Sequence, residues 1–486
     1  MSLVLLMNGI ESHYEIENLL EVFVIKSDLI FTHDEQKYHD LISETCMGLK
    51  LTFQDQHIEI ETEALSGVLE KRTLFAFGKP QRWVKDQLKK IVFEMMSLHF
   101  EPMSKWGILV GIRPVKIVHE MMDEGMDMLE IKRRLAEDYL IKPEKIKLMT
   151  EVALSERPFL YPNDTDAISL YICIPFCPTR CLYCSFPSND LKQKGKLLPL
   201  YLEKLAMEIE VAVDHIKQIG KRVDCIYIGG GTPTSINESQ LEALLSVISQ
   251  QVSSFELKEF TVEAGRPDTI TREKLEIMKQ YGVDRICINP QTMNDDTLVT
   301  IGRNHRPNDI SDVMRMAQGV GFKSINMDII IGLPGEQRDQ VDFTVNELLK
   351  FNPENITIHT LAVKRASKLN EDITKYELIH DSAVEDMLNH TDVALRQAAY
   401  APYYMYRQKK MVGHLENVGY AKKGYESLYN MRIMEEKHSI VACGAGAVSK
   451  ICEPSENRFD RVANFKGLED YLNRFDEILE KKKILK

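Results

Sequence analysis

Four of the nine cysteines in this 486-residue chain fall within residues 171–186, YICIPFCPTRCLYCSF. Three of these, Cys177, Cys181 and Cys184, form a C-x3-C-x2-C triplet directly after an apolar, strand-like run. Nine is an odd number at irregular spacing, and a disulfide framework is unusual in a large cytosolic chain, so metal or cluster ligation is the better reading. A structural zinc site takes four ligands, usually as two separated pairs, and the sequence offers neither a second pair nor a His-x3-His to complete one. Three thiolates on one short loop suit a 4Fe-4S cube whose fourth iron has no protein ligand. Such an iron can chelate the amino and carboxylate groups of a small molecule, while thiolate ligation and limited hydration keep the potential low. Cys46, Cys225, Cys287, Cys443 and Cys452 show no ligand spacing and read as core, while Cys173, on the strand itself, reads as packing, with a reactive thiol close to the site as the alternative.

The elements that must position this triplet alternate regularly. AISLYICI, VDCIYI, EFTVEA, DRICIN, SINMDIII and NITIHTLA are short apolar strands separated by amphipathic helical stretches, the pattern of βαβ units around a parallel sheet. Six such strands within residues 167–362 suit a partial or open barrel, since a full eightfold barrel takes about 250 residues. The triplet follows the first strand, at the C-terminal edge where such sheets place their chemistry. Before it, LLEVFVI, DLIFTH and LKLTFQDQHIEIET alternate as half-buried strands and predict a small antiparallel sheet, while QRWVKDQLKKIVFEMMSLHF and EMMDEGMDMLEIKRRLAEDYL have helical periodicity. The turn-rich YPNDTD ends this region. The expected organisation is an α+β domain over 1–162, a partial (β/α)6 barrel over 163–365 and a mixed C-terminal region over 366–486, an α/β fold throughout.

With 61 basic and 73 acidic residues the formal charge is -12, which advertises neither nucleic acid nor an anionic membrane as partner. No apolar run approaches the roughly 18 residues that span a bilayer, so no membrane insertion is expected. The N-terminus lacks a secretory signal pattern, which makes the cytoplasm the expected location.

The triplet in its setting resembles the radical S-adenosylmethionine superfamily. YICIPFCPTRCLYCSF is similar to the version found in oxygen-independent coproporphyrinogen III oxidases and their relatives, a similarity that extends over residues 167–450. PYYMYRQKKMVGHLENVGYAKKGYESLYN, GAGAVSK and the long N-terminal extension resemble the HemZ-like subgroup. The resemblance implies a radical SAM barrel that holds a 4Fe-4S cluster on Cys177, Cys181 and Cys184. It places the methionine end of S-adenosyl-L-methionine at Gly230, Gly231 and Thr232 of GGGTPT, and the ribose at Glu263 of TVEAGRPDT. Gln291, Arg303, Asp328 and Ala362 fall at further contact positions, which in close relatives line a second S-adenosylmethionine. Tyr171, Tyr183 and Val448 also align with contacts.

The activity implied is oxidative decarboxylation of two propionates of coproporphyrinogen III to vinyls, giving protoporphyrinogen IX. An external low-potential donor would supply the electron that generates a 5'-deoxyadenosyl radical. A porphyrinogen with four carboxylates needs local cations, for which bidentate guanidinium groups serve best. Arg365 and Arg407 are the expected partners, with Lys364, Lys409 and Lys410 as helpers. Two departures stand out. Many relatives carry His where this chain has Cys173. A heme-binding chaperone that shares the barrel carries a His-Asn-x-x-Tyr-Trp box where this chain reads ENVGY, with Glu416 in place of the His. That chaperone, and a radical enzyme that methylates heme, are the alternative readings.

Overall fold

The computed structural model describes residues 2–9, 14–111, 113–186, 188–453 and 458–484. It divides into two compact units, Met1–Thr150 and Glu151–Lys486. The division falls inside the helix Pro143–Leu160, upstream of YPNDTD.

The first unit contains a five-stranded sheet of β1 (Ser2–Asn8), β2 (Leu29–Thr32), β3 (Cys46–Phe53), β4 (His57–Ala64) and β5 (Gly67–Phe75), in the order β2-β1-β3-β4-β5. β1 pairs in parallel with both β2 and β3, while β3-β4 and β4-β5 are antiparallel hairpins. The sheet is therefore mixed, not antiparallel throughout. Helices Tyr14–Leu20 and Glu35–Leu41 make the crossovers that parallel pairing requires. LLEVFVI is not a strand: Leu19 and Leu20 end the first of these helices, and Val22, Phe23 and Val24 are buried in the turn that follows. Such a short apolar run cannot be told from a strand by periodicity alone. The helical stretch after residue 119 is broken at Gly125, whose φ is +83°, and restarts where the Asp127 side chain accepts the Glu130 N–H.

The second unit contains an eleven-stranded sheet. Its centre is the six expected strands, β6 (Ala167–Ile174), β9 (Arg222–Gly230), β10 (Glu259–Gly265), β11 (Arg285–Gln291), β12 (Ser324–Ile331) and β13 (Asn355–Thr360), paired in parallel in that order. Their Ile- and Val-rich runs are almost wholly buried, as strands covered on both faces must be. The region beyond residue 365 does not stand apart. β15 (Asn417–Ala421) and β14 (Ala401–Tyr406) extend the β13 edge antiparallel, while β16 (Ser439–Cys443) joins β6 in parallel and carries β17 (Val448–Glu453) and β18 (Arg458–Ala463). The sheet is α/β and open among the described residues. No described helix is long and apolar enough to cross a membrane.

Candidate active site

Immediately after β6, the two-residue strand β7 (Phe176–Cys177) pairs in parallel with β8 (Asn189–Asp190). This clip ties together the ends of the loop that carries Cys177, Cys181 and Cys184. Asn189 reinforces it, donating its backbone N–H and its Nδ2 to Pro175 O at 2.8 and 2.9 Å. From the end of β10, the Arg266 guanidinium grips Asp268 at 2.9 and 2.8 Å and reaches into the loop to donate to Thr179 Oγ1 at 2.8 Å. Ile301 O accepts the Leu182 N–H at 3.0 Å, and Arg180 donates to Ala366 O. Segments from three different parts of the sheet thus hold the cysteine loop in place.

The GGGT turn at the end of β9 closes over this loop. Gly231 N–H donates to Ile174 O at 2.9 Å, Thr232 N–H to Phe176 O at 2.8 Å, and Thr232 Oγ1 lies 3.4 Å from Cys177 Sγ. A Cβ on Gly231 would meet Phe176 O at 2.6 Å and Cys177 Sγ at 2.9 Å. A Cβ on Gly230, whose φ is +116°, would meet Cys173 Sγ at 2.8 Å. These glycines let one backbone lie directly on another, a packing role in addition to the ligand-facing one expected of them. Cys173 itself is buried beside Ala442 and Ala447.

The turn and the loop form one wall of a cavity of about 590 Å³. The central strands each present one half-buried side chain to it: Tyr171 from β6, Tyr227 from β9, Glu263 from β10, Asn289 from β11, Asp328 from β12 and His359 from β13. Tyr227 OH donates to Glu263 Oε1 at 2.6 Å, yet burial pushes the Glu263 carboxyl up to about 7. Burial acts on Asp328 in the same sense, but His359, 3.7 Å away, and Asn326, which donates at 2.7 Å, hold it below the usual carboxylate range. Tyr429 stacks on Tyr227 with ring centroids 4.3 Å apart. It is aimed from the start of the helix Leu428–Glu435, where the Glu259 carboxylate accepts the Leu428 and Tyr429 N–H groups at 2.7 and 3.2 Å.

Several polar atoms around the cavity are buried without a hydrogen-bond partner among the described residues: Asn289 Oδ1, Gln291 Oε1, and Nε and Nη1 of Arg303. Gln291 is also held at φ +70°, a strained setting for a residue with a side chain. Buried donors and acceptors left open side by side mark where a polar ligand completes the structure. Cys177, Cys181 and Cys184 bring three thiols to the wall of one cavity, the soft donor set an iron-sulfur cluster takes. Burial raises the thiols of Cys177 and Cys184, so ligation there releases protons. The donor set fits an iron-sulfur cluster with a polar small molecule beside it.

Every cysteine and cofactor-contact residue expected from the sequence lines this cavity: Cys177, Cys181, Cys184, Tyr171, Tyr183, Gly230, Gly231, Thr232, Glu263, Gln291, Arg303, Asp328, Ala362 and Val448. Arg365 and Arg407 do not. Arg365 is exposed, and Arg407, one residue beyond the end of β14, is buried and donates to His414 O at 3.0 Å. Lys364, Arg180, Arg266 and Lys450 are the cavity cations besides Arg303. Sequence reasoning missed Tyr227, Asn289, His359 and Tyr429. Strand parity could have found Asn289, two residues before Gln291 on β11, because alternate residues share a face.

The radical SAM superfamily domain matches residues 171–348. The oxygen-independent coproporphyrinogen-III oxidase-like protein HemZ of Bacillus subtilis is 36% identical over 483 residues, covering 97% of this chain and 94% of that protein. The heme chaperone HemW of the same organism is 32% identical over 285 residues, covering 57% of this chain and 70% of its own. Among solved structures, the radical SAM coproporphyrinogen III oxidase HemN of Escherichia coli aligns with a TM-score of 0.52 at 22% identity, over 67% of this chain and 72% of that one. That likeness shows a common fold.

Proposed function

This chain belongs to the radical SAM superfamily, in the group that includes the coproporphyrinogen-III oxidase-like protein HemZ, and from that membership we propose that it decarboxylates porphyrinogen propionates to vinyls. Coproporphyrinogen III is the substrate and protoporphyrinogen IX the product. When bound, a 4Fe-4S cluster and S-adenosylmethionine supply hydrogen-atom abstraction, so that each propionate loses a β-hydrogen atom, carbon dioxide and one electron to an acceptor.

Cys177, Cys181 and Cys184 hold the cluster, and the Gly230–Thr232 backbone borders the amino-acid end of S-adenosylmethionine. Glu263, ionised, accepts from the ribose diol, with Tyr227 OH fixing one of its oxygens. Gln291, Arg303, Asp328 and Ala362 line the same cavity and serve further groups of the cofactor, or of a second S-adenosylmethionine. The strands and the tyrosine stack keep water from the reacting carbon. A low-potential donor in the cytoplasm supplies the electron.

The observation that carries this reading is the convergence of three thiols, a buried carboxyl and open polar atoms on one cavity. The likeness to HemW favours heme carriage as the second reading. Against it, the position equivalent to the chaperone's His is Glu416, 2% exposed, whose carbonyl accepts from Thr360 Oγ1 at 2.8 Å. Its neighbour Asn417 accepts the Thr360 N–H at 2.8 Å, so the segment is built into the sheet. Anaerobic reconstitution with iron and sulfide, followed by assay with coproporphyrinogen III, S-adenosylmethionine and dithionite, tests the proposal. Carbon dioxide and 5'-deoxyadenosine released in equal amounts support it. Tight heme uptake with no decarboxylation refutes it.

A further inference from the structure

Of the cations lining the cavity, Arg266 is committed to Asp268 and Thr179, and Lys450 pairs with Glu436 at 3.2 Å. Arg303 donates to Tyr183 OH at 3.3 Å and borders the cysteine loop. Two others, Arg180 and Lys364, have no carboxylate partner among the described residues. Arg180 spends one N–H on Ala366 O, while its Nε is buried and unmatched. Lys364 is half-buried, and burial lowers its pKa with nothing acidic to offset it.

The two are brought together by a tight turn. Lys364 O accepts the Ser367 N–H at 2.9 Å and Ser367 Oγ at 2.7 Å, which folds residues 364–367 so that Ala366 O meets Arg180 while Lys364 faces the same cavity. Val363 N–H, bonded to Lys410 O at 3.0 Å, anchors the other side of the turn. Lys364 has a desolvated ammonium with no acidic partner and Arg180 a buried Nε with no acceptor, and a ligand carboxylate between them would satisfy both.

We propose that Arg180 and Lys364 form a clamp for a side-chain carboxylate of a tetrapyrrole. The clamp rests on the functional reading above, in which the ligand carries propionates, and it takes the role expected of Arg365 and Arg407. Both residues are recognition groups; neither touches the reacting carbon.

The test uses the full chain, reconstituted anaerobically, with Lys364→Met, Arg180→Gln and the charge-keeping Arg180→Lys. Coproporphyrin III and its tetramethyl ester serve as unreactive fluorescent probes, and S-adenosylmethionine binding and iron content are measured in parallel. Lys364→Met and Arg180→Gln should each weaken coproporphyrin binding and raise KM for coproporphyrinogen about tenfold, and should lose the preference for acid over ester. Iron content and S-adenosylmethionine affinity should stay at the wild-type level in Lys364→Met, and Arg180→Lys, which keeps a cationic donor for Ala366 O, should retain both its iron and much of the binding. Unchanged coproporphyrin affinity in variants that keep their iron overturns the clamp. So does weakened S-adenosylmethionine binding with porphyrin binding intact, which would assign these cations to the cofactor. Wild-type protein that binds coproporphyrin but never decarboxylates its reduced form refutes the oxidase reading alone. Wild-type protein that binds no porphyrin carboxylate refutes both.

Discussion

Glu263 links the protonation of the cavity to what it can bind. Its carboxyl is pushed up to about 7 by burial, so below that pH it is neutral and offers a diol a poorer acceptor. A ligand that needs the ionised form must release a proton on binding at pH 6. Affinity for S-adenosylmethionine should therefore fall as pH drops below about 7, approaching tenfold per unit, and calorimetry in buffers of different ionisation heat should detect the proton. Glu263→Gln should bind about tenfold more weakly near pH 8, with a flat pH profile. The thiols give a second expectation at this scale. Serine at Cys177, Cys181 or Cys184 should cut iron retention and lower turnover by more than about 100-fold, while far-ultraviolet circular dichroism stays unchanged. The triplet was legible because its spacing is local. His359 was not, since only the sheet brings it 3.7 Å from Asp328.

The crossing of the GGGT turn over the cysteine loop is the contact between elements on which the site most depends. Gly231→Ala pushes a methyl against Phe176 O and Cys177 Sγ, backbone and ligand, neither of which can yield freely. It should lower stability by about 1–3 kcal/mol and reduce iron per chain after reconstitution. Gly319, in the helix Pro307–Val320, has open space around its Cβ position, and Gly319→Ala should be neutral or stabilise by up to about 1 kcal/mol without changing iron content. Chemical denaturation together with iron assay separates the two effects. The six central strands were legible from their apolar runs, because both faces are covered. The first unit was less so: parallel pairing of β1 with β2 and β3 depends on crossovers that alternation does not report.

At the scale of the whole second unit, the C-terminal residues build both edges of the catalytic sheet. The helix Leu428–Glu435 is fastened to the sheet by Arg432, whose Nη1 and Nη2 donate to Asp224 at 2.5 and 2.9 Å, with both residues about 1% exposed. Arg432→Met leaves Asp224 with Lys258 alone, 3.1 Å away, and should destabilise the protein by about 3–5 kcal/mol, measured by denaturant unfolding. Tyr429 sits on the same helix, so the variant should also loosen the tyrosine stack, read as a change in near-ultraviolet circular dichroism. None of this was visible from local pattern, since Arg432 and Asp224 lie 208 residues apart. The single half-buried residue that each central strand turns toward the cavity has a further consequence. What the protein binds is written at a handful of addresses that the hydrophobic interior does not read. Those letters are read in pairs across neighbouring strands, Tyr227 with Glu263 and Asp328 with His359, so a lineage built on this sheet acquires new chemistry by exchanging partners together while the apolar interior stays as it is.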